Sequence, residues 1–362
     1  MWTNFGRNKL YPNVFVFLVG PPGVGKTQAI EPISELLRKS GSVTVAPNDL
    51  SKQALLDALN EAAKGVLLNG RPFDYHFLTL SIRELANFMS KYDFELTGLL
   101  TDLFDCPAVN EEKKRTHNKG EAIVAPGISF IMGTATHNLG HTISNEMWGS
   151  GFMARVIMVY SADEIIPVNM FDEIPVDDKV QEELLVGLRR LGERVGPMIW
   201  TPEAQRLLHD FRLNQKNGAP LHNRLTHYVT RRWLHLGKLC MIAALSDERP
   251  DVQEEDFHTA LSWLKCAERE MPEIFKDMVS HEDGQIHEEL RNHCWLLHVK
   301  SKKPVHISVL YEFLHSRVAS HSIERIVQVA IAADFFRRVA GTEGNDAEFI
   351  PMAMNGQTPA MF

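Results

Sequence analysis

An eight-residue run near the N-terminus follows an apolar segment, Val14–Val19, and opens a helical pattern. It reads Gly20-Pro21-Pro22-Gly23-Val24-Gly25-Lys26-Thr27 and satisfies G-x-x-x-x-G-K-[ST] at every fixed position. Glycines let successive backbone N–H groups turn inward, and a helix start adds a dipole that favours negative charge. A strand, a glycine loop and a helix in this order predict an α/β fold with a phosphate-binding loop.

The loop predicts specific contacts with a nucleoside triphosphate. Lys26 is expected to reach the β and γ phosphates, and the Thr27 hydroxyl is expected to bind Mg²⁺. A plain Gly/Pro turn between strand and helix is the alternative, but the complete match in its expected context favours nucleotide binding. We therefore expect ATP and Mg²⁺ as cofactors.

Apolar runs alternate with helical patterns over the first 160 residues. The runs are Val14–Val19, Val43–Ala46, His76–Leu80, Ile128–Met132 and Arg155–Tyr160. The helical patterns are Gln28–Arg38, Lys52–Ala63, Ile82–Met89, Leu96–Phe104 and Ile143–Trp148. This alternation predicts crossover connections and a parallel sheet covered on both faces.

The rest of the chain has a different pattern. Prolines among acidic residues mark a linker, a purely helical pattern follows, and the last region has helices and then a β-hairpin pattern. We expect a P-loop ATPase core at 1–165, a linker at 166–180, a helical lid at 181–280, a winged-helix-like domain at 281–352 and a flexible tail at 353–362.

The later strands distinguish between classes of P-loop protein. No base-reading N-K-x-D follows a later strand, and no Arg-rich lid typical of small-molecule kinases interrupts the core. An ATPase of the AAA+ kind, which hydrolyses ATP between the subunits of a ring, agrees better with the pattern. Such a site needs a carboxylate beside the phosphates. Glu84, after the strand His76–Leu80, is the candidate for catalysis. It is also the candidate for binding Mg²⁺, either directly or through a bridging water.

The alternative role for Glu84 is that of an acid in the first turn of a helix, stabilised by the helix dipole. In that case Asp102 and Asp105 are the next candidates for the catalytic carboxylate. At the tip of the fourth strand Thr136 is the preferred γ-phosphate sensor, followed by Thr134 and Asn138, with helix capping as the alternative.

Three arginines are further candidates. Arg155 precedes the fifth strand and is either an arginine finger for the neighbouring subunit or a structural arginine at a strand edge. Arg231 and Arg232 are either lid sensors over the nucleotide or charges on a helix surface.

The chain resembles phage and prophage P-loop ATPases that are similar to replicative and primase-associated helicases. The resemblance covers about residues 12–160 and rests on four segments: Gly20–Thr27, Ser81–Phe88, Leu99–Pro107 and Gly149–Arg155. It implies a helicase-like or DNA-remodelling ATPase in replication or recombination.

Contact with DNA requires a local basic feature, because the formal net charge is −8. The segment 113–119 holds four Lys or Arg and no acid, and Asn118-Lys119-Gly120 is a turn signal. We expect a hairpin that grips a single strand. Its candidate residues are Lys113, Lys114, Arg115, His117 and Lys119. A solvated charge run is the alternative.

The winged-helix-like region carries eight Lys or Arg against ten Asp or Glu between residues 281 and 352. One face could still be basic, formed by Lys300, Lys302, Lys303, Arg337 and Arg338. Packing against the ring or against a partner protein is an equally strong alternative.

Four scattered cysteines without a C-x-x-C pair argue against disulfides and zinc. His137 and His141 lack a third ligand, and no apolar run near the start could span a membrane. We expect a cytoplasmic protein, in a bacterial host if phage-encoded.

Together these features predict an ATP-dependent DNA motor or remodeller that works as a homo-oligomeric ring, with six subunits favoured, alongside replication proteins. The alternative is a nucleotide-dependent loader or switch that recruits a replication protein without translocating. A small-molecule phosphotransferase is the weakest of the three.

Overall fold

The computed structural model describes residues 1–6, 8–47, 50–68, 70–110, 123–163, 177–342 and 344–352. The chain forms two compact units, Met1–Phe275 and Lys276–Phe362. The segments expected to be a separate core and lid therefore lie in one unit. Most of the expected linker and all of the expected tail lie outside the described residues.

The elements in chain order are as follows. The strands are β1 (Thr3–Phe5), β2 (Asn8–Leu10), β3 (Phe15–Val19), β4 (Thr44–Val45), β5 (Ala63–Leu68), β6 (Arg71–Ile82), β7 (Val109–Asn110), β8 (Ile123–Val124), β9 (Pro126–Thr134), β10 (Val156–Tyr160), β11 (Ile199–Trp200), β12 (Asp251–Val252), β13 (Val305–His306), β14 (Phe336–Arg338) and β15 (Glu348–Pro351). The helices are α1 (Lys26–Ser40), α2 (Lys52–Glu61), α3 (Leu85–Phe88), α4 (Phe94–Phe104), α5 (Thr136–Thr142), α6 (Asn145–Gly149), α7 (Asp178–Gly192), α8 (Pro202–Leu213), α9 (Thr226–Ser246), α10 (Glu254–Arg269), α11 (Met271–Ser301), α12 (Ile307–His315) and α13 (Ser320–Ala332).

A six-stranded sheet forms the centre of the first unit. Its order is β10-β3-β9-β6-β4, all parallel, and β5 pairs antiparallel with β6. The predicted α/β fold with a parallel sheet is confirmed, and each of the five predicted strands is present. Buried phenylalanines fill one side of the central strands, where the rings of Phe15 and Phe130 stack at 4.0 Å. This apolar packing fixes the strand that leads into the glycine loop.

Tertiary pairing changes two predicted elements. Ile82 was expected to open a helix, but it pairs with Met132 and extends β6, so only Leu85–Phe88 is helical. Ala63 was expected to end a helix, but it opens β5, which returns through a turn at Gly70 (φ 74°). In both places ladder hydrogen bonds outweigh helical propensity.

Helices α8, α9 and α10 pack around a second core in the same unit. Trp200, Leu236, Met241 and Leu264 lie in this core, together with Leu10 from β2. The N-terminal hairpin β1–β2 therefore contributes to the core of the helical segment. This shared burial explains why the first unit does not divide at the predicted linker.

The second unit contains most of α11, from Lys276 onward, then β13, α12, α13, β14 and β15. Its three strands form an antiparallel sheet in the order β13-β15-β14. Leu290, Leu310, Ile326 and Phe349 are buried between the helices and the sheet. The predicted order of helices followed by a terminal β-hairpin is present.

Candidate nucleotide-binding site

The glycine loop begins where β3 ends and is anchored on both sides. The Gly20 amide donates to the Thr134 carbonyl (3.3 Å), and the Ser161 amide donates to the Val19 carbonyl (3.1 Å). A Cβ on Gly20 would collide with the Ser161 carbonyl oxygen, so this position has no room for a side chain. The neighbouring strands β9 and β10 thus hold the start of the loop in place.

Two further glycines give the loop its turn. Gly23 and Gly25 have φ values of 89° and 79°, in the left-handed region that side chains disfavour. Helix α1 starts immediately afterwards at Lys26, with Gly25 as its N-cap. The loop therefore leads from the edge of the sheet where the parallel strands end into a helix N-terminus. Backbone N–H groups and the helix dipole favour an anion there.

Lys26 lies inside this loop. Its Nζ donates to the carbonyl oxygens of Gly20 (2.8 Å) and Pro21 (2.7 Å). Burial lowers the pKa of Lys26, and the negative charge of Glu84 acts in the opposite direction. An ammonium has three donors, so one remains for a phosphate oxygen. Thr27, the next residue, is exposed at the first turn of α1.

Glu84 lies at the same edge of the sheet, two residues beyond the end of β6. One carboxylate oxygen, Oε1, accepts a hydrogen bond from Asn138 Nδ2 at 3.2 Å. Glu84 is the N-cap residue of α3 but makes no side-chain cap bond there, so its carboxylate is directed to Asn138. The carboxyl ends of β3, β6 and β9 thus bring Lys26, Glu84 and Asn138 together.

The other acids and threonines are placed differently. Thr134 and Thr136 are both buried, and the Thr134 hydroxyl donates to the Ala135 carbonyl (3.2 Å). Asn138, ranked behind Thr136 from the sequence, is the strand-tip side chain that contacts Glu84. Asp105 lies at the opposite edge of the sheet, where it pairs with Arg155.

Arg83, the residue before Glu84, was not singled out from the sequence. Its guanidinium pairs with Glu31 of α1 at 2.8 Å, and both side chains are about half exposed. The pair links the end of β6 to the helix that carries Thr27. Its position directly before a predicted catalytic acid is the sequence signal that could have identified it.

Arg155 lies just before β10, at the edge of the sheet where the parallel strands begin. Val156 pairs with Phe15 at the start of β3, so the five-residue length of these strands separates Arg155 from the glycine loop, about 16 Å at strand geometry. Its side chain is only 7% exposed and donates to Asp105 Oδ2 (2.5 Å) and to the Gly151 carbonyl (2.9 Å). In this arrangement the geometry favours the structural role over a finger that is free to reach a neighbour.

Arg232 and Arg231 have different surroundings. Arg232 is buried and makes a two-pronged ion pair with Glu268 of α10 (2.6 and 2.7 Å). It therefore joins two helices of the helical segment and does not face the glycine loop. Arg231 is half buried near Arg155 and Asp105, whose charges act on it, and this also places it away from Lys26.

The predicted basic hairpin residues, Lys113, Lys114, Arg115, His117 and Lys119, lie outside the described residues. The segment is flanked by β7 and β8, which pair antiparallel with Val109 opposite Val124 and Asn110 opposite Ile123. Strand β9 begins two residues after β8. Asn110 and Ile123, the described residues on either side of that segment, are thus paired next to the strand that leads to Asn138.

Comparison with known families agrees with this geometry. Residues 15–71 match the AAA domain, dynein-related subfamily. The match runs from β3 through the glycine loop to the first residue of β6. With the parallel sheet, it indicates a nucleotide-dependent P-loop ATPase of the AAA type. No curated protein matches the chain.

The donor set of the AAA segment suits ATP with Mg²⁺. The turned loop, the partly buried Lys26 ammonium and the helix start provide for phosphates, and Thr27 and Glu84 provide the hard oxygen ligands that Mg²⁺ prefers. Among the described residues, no group of three or more His, Cys, Asp or Glu side chains could hold a metal ion. A magnesium ion bound by Thr27 and Glu84 would take its remaining ligands from phosphate oxygens and water. Within the same residues, no helix is long and apolar enough to cross a bilayer.

Proposed function

We propose that this protein is an ATP-dependent DNA motor or remodeller that acts in replication or recombination of the phage type. The observation that carries the ATPase part is the convergence of Lys26, Glu84 and Asn138 at one edge of the parallel sheet. Each comes from a different strand end, so the fold itself assembles them.

The residues have distinct tasks in ATP hydrolysis. Lys26 and the loop amides bind and orient the phosphates, and Thr27 with Glu84 would hold Mg²⁺, which neutralises phosphate charge when it is bound. Asn138 engages one oxygen of Glu84, Oε1, and leaves Oε2 for a water that is either bound to Mg²⁺ or attacks the phosphate. Thr136 remains a proposed sensor beneath them.

The DNA part of the proposal rests on the segment between β7 and β8. A hairpin closed by these strands would present Lys113–Lys119 to a phosphate backbone, most favourably that of a single strand. Because β9 connects this segment to Asn138, a change at the nucleotide could move it.

We further propose a ring of identical subunits, with six favoured, in which Arg155 would have to leave its pair with Asp105 to face the nucleotide of its neighbour. Support comes from the AAA match and from the position of Arg155 across the sheet from its own glycine loop. The second unit has the element order of a winged helix (helix, strand, two helices, two strands), and we assign it to DNA or a replication protein.

One observation favours the alternative of a loader or switch. The residue before Glu84 is Arg83, and it pairs with Glu31, so Glu84 is the single carboxylate assigned to the reaction. One acid where ATPases of this kind have two is compatible with slow turnover, which suits a protein that signals its nucleotide state.

ATP hydrolysis by the purified chain, with and without single-stranded DNA, tests the proposal. We expect DNA to stimulate turnover, Lys26→Ala to abolish it, and Lys119→Ala to remove the stimulation while basal turnover stays. Lys265→Ala, a surface lysine on α10, is the matched control. Turnover that is unchanged by DNA and by Lys119→Ala would contradict the motor hypothesis and support the switch hypothesis.

A further inference from the structure

A cleft of about 450 Å³ lies between helix α1 and the end of β6. Its volume falls within the range of small-molecule sites. Helix α1 contributes Ile30, Ser34 and Arg38, whose spacing of four places them on one face of the helix. Strand β6 contributes Ser81, and Arg83 follows just after the strand ends. These described lining residues do not belong to the glycine loop, so the cleft is a separate feature of the first unit.

Arg38 and Ser81 meet at the end of the sheet. The Nη2 group of Arg38 donates to the Ala46 carbonyl at 3.2 Å. Strand β4 pairs parallel with β6, and just beyond it the Ala46 amide donates to the Thr79 carbonyl (2.9 Å). Ser81 is two residues beyond Thr79 on β6. The strand pairing therefore brings the Arg38 guanidinium to the part of β6 that carries Ser81.

The hydroxyl of Ser81 is a buried polar group without a partner. The residue is 3% exposed, and its Oγ makes no hydrogen bond within the described part of the chain. A buried hydroxyl in this state is costly, and such groups in native proteins call for an explanation. Rotation about the Cα–Cβ bond can direct the hydroxyl towards an occupant of the cleft. The unmet hydroxyl thus points to a ligand.

The charges that line the cleft decide the sign of that ligand. Its two acids are already paired, Glu31 with Arg83 at 2.8 Å and Glu35 with Lys39 at 2.7 Å. Arg38 has no ion pair among the described residues, and its side chain donates one hydrogen bond, to a neutral carbonyl. A guanidinium has five N–H donors, so most of its capacity is unused. The group left to bind is therefore a cation with free donors.

We propose that this cleft is a second ligand site, which binds a small molecule through a phosphate or carboxylate group. The Arg38 guanidinium bonds the oxyanion, a pairing for which its planar set of donors is well suited. The hydroxyls of Ser34 and Ser81 add neutral donors, and Ile30 provides an apolar wall for the carbon skeleton. Binding here does not require the proposed ATPase function.

Equilibrium dialysis of inorganic phosphate against full-length Lys26→Ala tests the site, because this change weakens phosphate binding by the glycine loop. We expect adding Arg38→Ala to weaken the remaining binding about tenfold, since a charge-assisted pair is lost. Adding Arg337→Ala, an exposed arginine of β14, is the matched control and should change nothing. The same dialysis with acetate distinguishes the two groups, and the oxyanion that binds more tightly identifies the class of ligand.

Two further variants test the site without relying on the Arg38 change. Adding Glu35→Gln to Lys26→Ala should tighten phosphate binding, because a carboxylate that repels the oxyanion is gone. Adding Ser81→Ala should weaken binding, yet the melting temperature without phosphate should stay equal or rise, because the unmet hydroxyl is removed. Neither combination is expected from a damaged fold.

The proposal is overturned if neither phosphate nor acetate binds to Lys26→Ala. It is also overturned if binding is unchanged by both Arg38→Ala and Glu35→Gln, because the anion then lies elsewhere. Dialysis does not depend on hydrolysis, so a failure of the proposed ATPase function would show separately, as absence of turnover by the unaltered chain.

Discussion

In the proposed reaction, Lys26, Glu84 and Asn138 would have separate tasks at the glycine-loop edge. Lys26 is held by two loop carbonyls, and Glu84 is held by the Asn138 amide, so both charged groups have fixed positions. Fixed polar groups stabilise a reaction better than mobile ones, because they need no reorganisation as charge develops. In the proposed reaction the neutral Asn138 would therefore matter as well as the charged Lys26 and Glu84.

Asn138→Ala tests this division of work. We expect turnover to fall about tenfold, the effect of one lost hydrogen bond to a charged group, while ATP affinity stays near its original value. Steady-state kinetics and nucleotide titration measure the two quantities. Thr136→Val, which keeps the side-chain volume, is the matched comparison, and a larger loss in that variant would return the role to Thr136.

His235 gives a residue-scale prediction about pH. Burial lowers its pKa from 6.5 to about 4, so the folded chain keeps it neutral while an unfolded chain protonates it. Stability from this group is complete above pH 6.5 and is lost as the pH falls towards 4.

Urea unfolding at pH 7 and pH 5 measures this loss. The shift corresponds to about 2 kcal/mol between these two values of pH. His235→Gln keeps a donor for the Ala154 carbonyl and should reduce the pH dependence by that amount. An equal pH dependence in both proteins would show that other groups cause it.

At the scale of elements, α9 is the structural link of the first unit. One face contacts the sheet edge through His235 and Lys238, and Arg232 on another face pairs with Glu268 of α10. Tyr228 Oη also donates to Glu268 Oε1 (3.1 Å). Helix α9 thus joins the helical segment to the residues that precede β3.

Glu268→Gln tests the buried pair. It leaves the Arg232 charge without its counter-ion at 1% exposure, and we expect a loss of about 3 kcal/mol in the free energy of unfolding. The double change Arg232→Met, Glu268→Leu removes both charges and should recover most of that loss. Denaturant unfolding measures both proteins, and a double variant as unstable as the single one would contradict the argument.

At the scale of the whole molecule, the glycine loop and Arg155 lie at opposite edges of the sheet. The glycine loop follows the ends of β3, whereas Arg155 precedes β10 at the opposite edge, so one subunit does not bring them together. If Arg155 acts on a nucleotide, it belongs to a neighbour.

Sedimentation of the purified chain tests assembly. With ATP and Mg²⁺ we expect a closed oligomer, six subunits being favoured, and Lys26→Ala should assemble poorly because nucleotide joins the two edges. A monomer at every concentration with ATP present would remove the support for a ring.

The sequence by itself determined the nucleotide site and the class of fold. The glycine loop is a local motif, its chemistry is contained in eight consecutive residues, and the alternation of strand and helix patterns follows from short-range periodicity. Neither depends on which distant segments meet. The candidate acid Glu84 was also predictable from the sequence, because it follows a strand whose end is marked by a change from apolar to polar residues.

Only the tertiary structure decided which side chains meet. Asn138 rather than Thr136 contacts Glu84, Arg155 pairs with Asp105, and Arg231 faces the same edge as Arg155. These contacts join residues separated by 50 or more positions, and they depend on strand order and helix rotation. Both are set by long-range packing, which leaves no local pattern in the chain.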